Sequence, residues 1–232
     1  MQLSRRLQAV ADTVTKGNRV ADVGCDHAYI SIYLIRNDIA PKVIAMDVNK
    51  GPLKRAAENI KTYGYDRAID TRLSDGLHSL IPGEADTILI AGMGGSLAIK
   101  ILEEGFKAVE KAKELILQPQ SEIYLVRKFL HQSNFAIVRE QMVKEDGKYY
   151  FIIKAQPEES VKAYDREVHY QYGKLLLEQK EPLLEEFLKR EQRIRNEVIK
   201  DLTANSTPKA MIRMEEVNLE MDYIKEALSY FA

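Results

Sequence analysis

VADVGCDHAY, residues 20–29, is a short apolar run that stops at Asp22-x-Gly24 and passes directly into a helical pattern. A strand that ends in such a turn and feeds a helix is the first unit of a parallel sheet covered on both faces. The same rhythm continues outward from it. RVADVG (19–24), KVIAMDV (42–48), AIDTRL (68–73), DTILIAG (86–92) and ELILQ (114–118) are five candidate strands, and segments 28–37, 50–63, 95–110 and 121–133 read as the helices between them. Ahead of the first strand, Leu3, Leu7, Val10 and Val14 recur at helical spacing, which predicts an N-terminal helix beside the mouth of the sheet.

After the fifth strand the pattern changes. FAIVREQMVKE and KYYFIIKAQ flank Asp146-Gly147, a two-residue turn that marks an antiparallel hairpin. Five parallel strands followed by an antiparallel pair is the order of the class I methyltransferases, whereas a nicotinamide-binding domain would keep adding parallel strands. The fold class expected is therefore α/β, a Rossmann-like class I methyltransferase sheet carrying a C-terminal α-helical coiled-coil hairpin. The boundary is expected near Pro157, giving a catalytic domain over 1–157 and a helical domain over 158–232. In the second part Leu184, Phe187, Ile194 and Val198 face Met211, Met214, Val217, Met221, Ile224 and Leu228 at three-and-four spacing. TANSTP joins the two arms, with Ser206 or Thr207 as cap and Pro208 at the first helical position.

The 232 residues carry 45% hydrophobic and 30% charged side chains, enough for one α/β domain and an appendage. A single cysteine rules out an internal disulfide or a Cys-rich zinc site, and the four histidines lack close ligand spacing, so no metal is expected. No run reaches the roughly 18 apolar residues of a membrane span, and no signal-peptide block opens the chain, so a cytoplasmic protein without membrane contact is expected. With a net charge of −1, any surface for nucleic acid has to be a local patch.

The loop after the first strand discriminates between ligands. A dinucleotide fingerprint needs glycines where this chain has Asp26 and Tyr29, and Asp26 would repel a diphosphate. A cationic sulfonium with an ammonium group is favoured beside Asp22 and Asp26, so S-adenosylmethionine is the expected cofactor. Gly24 permits close backbone approach, with Cys25 beside it. Asp47, followed by Val48, ends the second strand where a carboxylate can accept ribose hydroxyls. Asp75-Gly76 ends the third, where Asp75 can accept from the adenine amino group. ILIAGMGG (88–95) brings Gly92 and Met93 to the transferable methyl, and its glycines strip side chains from that wall so that a flat base can approach. Each motif also has a structural reading as a turn or a cap, and it is their combination that favours a ligand. The Asn or Asp, paired prolines and aromatic typical of exocyclic-amine methyltransferases are missing here, which disfavours that chemistry.

LSRRL (3–7), DVGCDHAY (22–29), AGMGG (91–95), LILQPQ (115–120) and KEDGKYYFII (144–153), followed by a helical hairpin, together closely resemble the bacterial tRNA (adenine-22 N1)-methyltransferase family across the whole chain. The resemblance implies methyl transfer from S-adenosylmethionine to N1 of an adenine in the D-arm region of tRNA. For that reaction Asp26 is the first candidate to stabilise charge appearing on the ring, His27 to orient the base or move a proton, and Tyr29 to stack on it. Arg5, Arg6 and Gln118 near the cleft, and Lys189, Arg190, Arg193, Arg195, Lys200, Lys209 and Arg213 on the hairpin, are the candidate RNA contacts, although interleaved glutamates could pair with most of the latter. The sequence leaves two other readings open: a small-metabolite methyltransferase, and a noncatalytic RNA-binding protein of the same fold. Oligomeric state is not legible, with a monomer favoured.

Overall fold

The alternation of strand and helix patterns builds one seven-stranded sheet in the order β3-β2-β1-β4-β5-β7-β6, seen in a computed structural model that describes residues 2–204 and 207–232. β1 (Val20–Val23), β2 (Val43–Asp47), β3 (Ile69–Leu73), β4 (Thr87–Met93) and β5 (Glu114–Pro119) run parallel. β7 (Lys148–Pro157) inserts antiparallel beside β5, and β6 (Phe135–Glu145) closes the edge. β1 and β5 are buried along their whole length, as expected for strands covered on both faces. Asp146 and Gly147 both take positive φ, 50° and 73°, the signature of a type I′ turn between paired Glu145 and Lys148.

α1 (Arg5–Ala11) starts at Ser4, whose hydroxyl accepts from the Leu7 amide, and it buries Val10 and Ala11. α2 (Tyr29–Arg36), α3 (Lys50–Thr62), α4 (Gly95–Glu104) and α6 (Ile123–Gln132) follow strands as the pattern predicts. The helix expected over 95–110 breaks instead at Gly105, and α5 (Phe106–Val109) is a separate turn. A glycine is required at that junction, because Gly105 lies so close to Leu77 that a Cβ would overlap that side chain.

The order reverses between β1 and β4, and at such a switch point the connections leaving neighbouring strands run to opposite faces of the sheet and leave a crevice outside the strand C-termini. Gly95, where β4 passes into α4, packs against the loop that follows β5. A Cβ there would lie 2.5 Å from the Ser121 carbonyl oxygen and 2.9 Å from that of Glu122, both backbone atoms that cannot swing away. Gly95→Ala is therefore expected to cost about 2–3 kcal/mol by overpacking and to lower the melting temperature by roughly 5–10 °C, measured by thermal denaturation.

The chain divides into two compact units, residues 1–162 and 163–232. Residues past Pro157 stay with the first, where the Glu158 amide donates to the Asn134 carbonyl. The second unit holds α7 (Glu167–Tyr172), α8 (Lys174–Glu178), α9 (Pro182–Ala204) and α10 (Pro208–Leu228). α9 and α10 form a helical hairpin that buries Leu184 and Leu188 against Val217, Met221, Ile224 and Ala227. Thr207 caps α10 by accepting from the Ala210 amide, with Pro208 next to it, whereas the alternative cap Ser206 lies outside the described residues. The seam is shorter than the spacing suggests: Phe187, Ile194, Val198, Met214 and Leu228 are half-buried, and Met211 in the first turn of α10 is 66% exposed. No helix among the described residues is long and apolar enough to cross a membrane.

Candidate functional site

Two adjoining lobes, of about 310 and 300 Å³, open at the switch point and share Gly24, Ala91 and Gly92. The first is lined by Asp47, Val48, Asp75, Gly76 and Met93, together with Asn49, Leu97 and Ile101. The second is lined by Asp22, Cys25, Asp26, His27 and Tyr29, together with Arg6, Leu7 and Gln120. The structure thus gathers onto one cleft every residue that the sequence pointed to for cofactor or catalysis.

Gly24 makes the turn out of β1 in a left-handed conformation, φ 76°, and a Cβ there would collide with the Met93 methyl. Asp22 is 3% exposed and accepts a 2.6 Å hydrogen bond from the Ser31 hydroxyl, and among the described residues it forms no ion pair. Burial pushes its carboxyl up to about 6, against the opposing pull of the Ser31 hydroxyl and amide. Burial also raises the Cys25 thiol well above its ordinary range, reinforced by Asp22 and Asp47, so Cys25 is a packed wall residue and no nucleophile. Asp47 spends one oxygen on the Asn49 amide, 2.7 Å away, at the entry to α3. Asp75 offers its carbonyl to His78, and its exposed side chain borders the first lobe.

Asp26 projects from the loop at φ 45°, its carboxylate 3.4 Å from Arg55 on α3 and 3.6 Å from His27 Nε2. The His27 and Tyr29 rings stack, 5.2 Å between centroids, at the open rim. Two expectations are corrected here. Gly94 and Gly95 do not clear the cleft wall: Gly94 borders Ser121 Oγ and Gly95 the 121–122 backbone, so of these glycines Gly92 alone faces the cleft. Gln118 does not present its amide to a base edge, because it is 1% exposed and its Oε1 accepts from Arg6 Nη1 at 2.6 Å. Arg6 itself is half-buried over the Tyr150 ring, while Arg5 beside it is exposed. Ser31, Arg55 and Tyr150 escaped the sequence reading because their roles depend on which way α2, α3 and β7 turn them.

On the hairpin, Lys189 pairs with Glu185, Arg195 with Glu191 and Glu220, and Arg213 with Glu216 and Glu220. Arg190 also has a partner. Arg193, Lys200 and Lys209 are exposed and form no ion pair among the described residues. No group of three or more His, Cys, Asp or Glu among those residues is arranged to hold a metal.

A sheet of this order with an acidic, glycine-floored cleft at its switch point defines a Rossmann-like methyltransferase, and a protein-family model described as "Methyltransferase domain" matches residues 3–153. The tRNA (adenine(22)-N(1))-methyltransferase of Bacillus subtilis (strain 168) is 38% identical over 165 residues, 71% of this chain and 69% of that protein. An uncharacterized protein from Listeria monocytogenes serotype 4b superposes with a TM-score of 0.92 at 31% identity, covering 98% of this chain and 100% of that one. A Streptococcus pneumoniae protein solved in complex with S-adenosyl-L-methionine superposes at 0.87 with 29% identity, over 98% and 100% of the two chains. The chain belongs to the tRNA (adenine-22 N1)-methyltransferase family.

Proposed function

We propose that this protein transfers a methyl group from S-adenosylmethionine to N1 of adenine 22 in tRNA. The observation that carries the reading is the pairing of an unneutralised, buried Asp22 with the glycine-floored lobes in a chain 38% identical to an enzyme named for that reaction. The residues fit the cofactor. Gly92 leaves room that a Cβ would fill, Asp22 supplies the negative charge an ammonium needs, and Asp47 and Asp75 border the lobe that suits an adenosine. When bound, S-adenosylmethionine supplies an electrophilic methyl on a positive sulfur.

Adenine N1 carries a lone pair, so the acceptor needs no prior deprotonation and the site's work is chiefly positioning. His27 and Tyr29 form an aromatic platform on which a base turned out of the tRNA can stack, exposing its Watson–Crick edge to the cleft. Positive charge then develops on the ring, and Asp26 stands at the same rim to stabilise it. Arg55 and His27 hold that carboxylate in place. Arg5 and the hairpin cations Arg193, Lys200 and Lys209 take the backbone phosphates. The enzyme acts as a monomer in the cytoplasm, where its substrate is.

Incubation with tRNA and labelled S-adenosylmethionine, followed by nuclease mapping and mass spectrometry, is expected to find one methyl at N1 of adenine 22. Label on a small-metabolite fraction and none on tRNA would overturn the reading. Asp26→Asn keeps a residue that tolerates left-handed backbone and removes only the charge. It is expected to slow single-turnover transfer about 100-fold and to leave cofactor affinity within about threefold, since the carboxylate acts late.

A further inference from the structure

Gln120 is the one carboxamide among the residues that line the second lobe. Its side chain is exposed and makes no hydrogen bond among the described residues. The backbone beneath it is fixed, because the Gln120 amide donates to the Met93 carbonyl at 2.8 Å, one residue beyond the point where Pro119 pairs with Met93. Between the pairs Ala91–Gln118 and Met93–Pro119, β4 carries one residue more than β5, and that residue is Gly92, left-handed at φ 81°. Such a bulge re-aims the side chains around it. Here Gln120 Nε2 lies 3.7 Å from where a Cβ of Gly92 would stand, so the carboxamide borders the bare backbone of the cleft floor. The charged groups of the same lobe are already engaged: Arg6 donates to Gln118, Asp22 accepts from Ser31, and Asp26 is held by Arg55 and His27.

The strand order sets β4 between β1 and β5. A base lying over Gly92 therefore has the His27–Tyr29 platform, which follows β1, on one side and Gln120, which follows β5, on the other. An acceptor adenine must keep N1 bare, because that lone pair takes the methyl group. What remains to tell it from other bases is the N6 amine, a donor, beside N7, an acceptor. A carboxamide carries one acceptor and one donor side by side and matches that pair, whereas guanine offers two acceptors, O6 and N7, and a pyrimidine has no N7. Resting on the reading of the protein as a tRNA adenine N1-methyltransferase, we propose that Gln120 selects the target base, its Oε1 accepting from N6 and its Nε2 donating to N7. The bond to N6 also favours the reaction. Once N1 carries the methyl group the ring is a cation whose charge is shared with N6, so the amine donates more strongly in the transition state than in the bound substrate.

The test uses the full chain and tRNAs assembled with adenine, 7-deazaadenine or purine at position 22. The second base lacks the N7 acceptor and the third the N6 amine, while both keep the N1 lone pair. Comparing two proteins on one substrate cancels the intrinsic reactivity of N1. Gln120→Leu alters an exposed side chain and leaves the fold intact. In single turnover it is expected to be about 30-fold slower than the wild type on adenine and at most about fivefold slower on either analogue, where one bond of the pair is already missing. Its affinities for S-adenosylmethionine, by isothermal titration, and for tRNA, by filter binding, should stay within about threefold, because the bond to N6 strengthens late. An equal loss on all three tRNAs overturns the proposal, since a merely structural glutamine would not tell them apart, and so does an unchanged rate on adenine. A cofactor affinity that falls as far as the rate overturns it too, moving Gln120 to the cofactor. A wild type that methylates none of the three tRNAs sinks the tRNA reading itself and this proposal with it, a result distinct from transfer that ignores N6 and N7.

Discussion

Asp22→Asn is expected to make the free protein more stable and the cofactor complex weaker, two changes of opposite sign from one substitution. The Asp22 carboxyl is 3% exposed and its folded pKa is raised to about 6, with burial as the main cause. A raised folded pKa means that the stability contribution is full below the ordinary carboxylate range and is lost as pH rises through about 6. At pH 7.5 the ionised group therefore costs stability, up to about 3 kcal/mol for a shift of two units. Asparagine retains an oxygen to accept the Ser31 hydroxyl and carries no charge to desolvate. Thermal denaturation should show a higher melting temperature for the variant at pH 7.5, with the gain shrinking towards pH 5. The ammonium of S-adenosylmethionine, by contrast, loses its counter-charge, and affinity should drop between ten- and a hundredfold. The wild-type affinity should itself weaken as pH falls below about 6, where the carboxyl takes up a proton, and level off above 7. Unchanged affinity in the variant, or a less stable free protein, would remove Asp22 from the role of ammonium partner.

What was legible in the sequence follows the range of the forces involved. Strand and helix identity is written in local period, so five parallel strands, the hairpin after them and the Asp146-Gly147 turn could be read directly. The end of each strand could be read as well, and that located the cleft, since in a parallel sheet those ends lie along one edge and the crevice opens there at the switch point. Direction and contact could not. Gln118 sits in the same tripeptide as Gln120, yet the first is buried beneath Arg6 and the second, past the end of β5, borders the cleft. Gly92 and Gly95 look alike in ILIAGMGG, but one floors the cleft and the other is held by the 121–122 backbone some 26 residues further on. Gly105, where one predicted helix becomes two, is pressed against Leu77, a neighbour in space that no helical period announces. On the hairpin, spacing identified the seam and overstated its length, because Met211, in the first turn of α10, stays largely exposed.

The same ambiguity, a charged helix face that could be solvated or could bind RNA, is resolved by counting partners. Lys189, Arg195 and Arg213 are committed to glutamates within one or two helical turns or across the hairpin, and neutralised cations of this kind release few counterions on meeting a phosphate. Arg193, Lys200 and Lys209 are exposed without an ion pair, so their charge is available. Reversal of all three, Arg193→Glu, Lys200→Glu and Lys209→Glu, should weaken tRNA binding about 100-fold at moderate salt and flatten the dependence of log affinity on log salt by about 2 to 3, one counterion for each lost contact. Cofactor affinity should stay within about threefold, because the lobes are lined wholly by residues of the first unit. Alanine at Lys189 and Arg213 makes the control: exposed ion pairs contribute little to stability, and these two variants should bind tRNA nearly as the wild type does. If the reversed variant keeps both its tRNA affinity and its salt slope, the hairpin does not touch the phosphate backbone and tRNA must be held by the sheet domain alone.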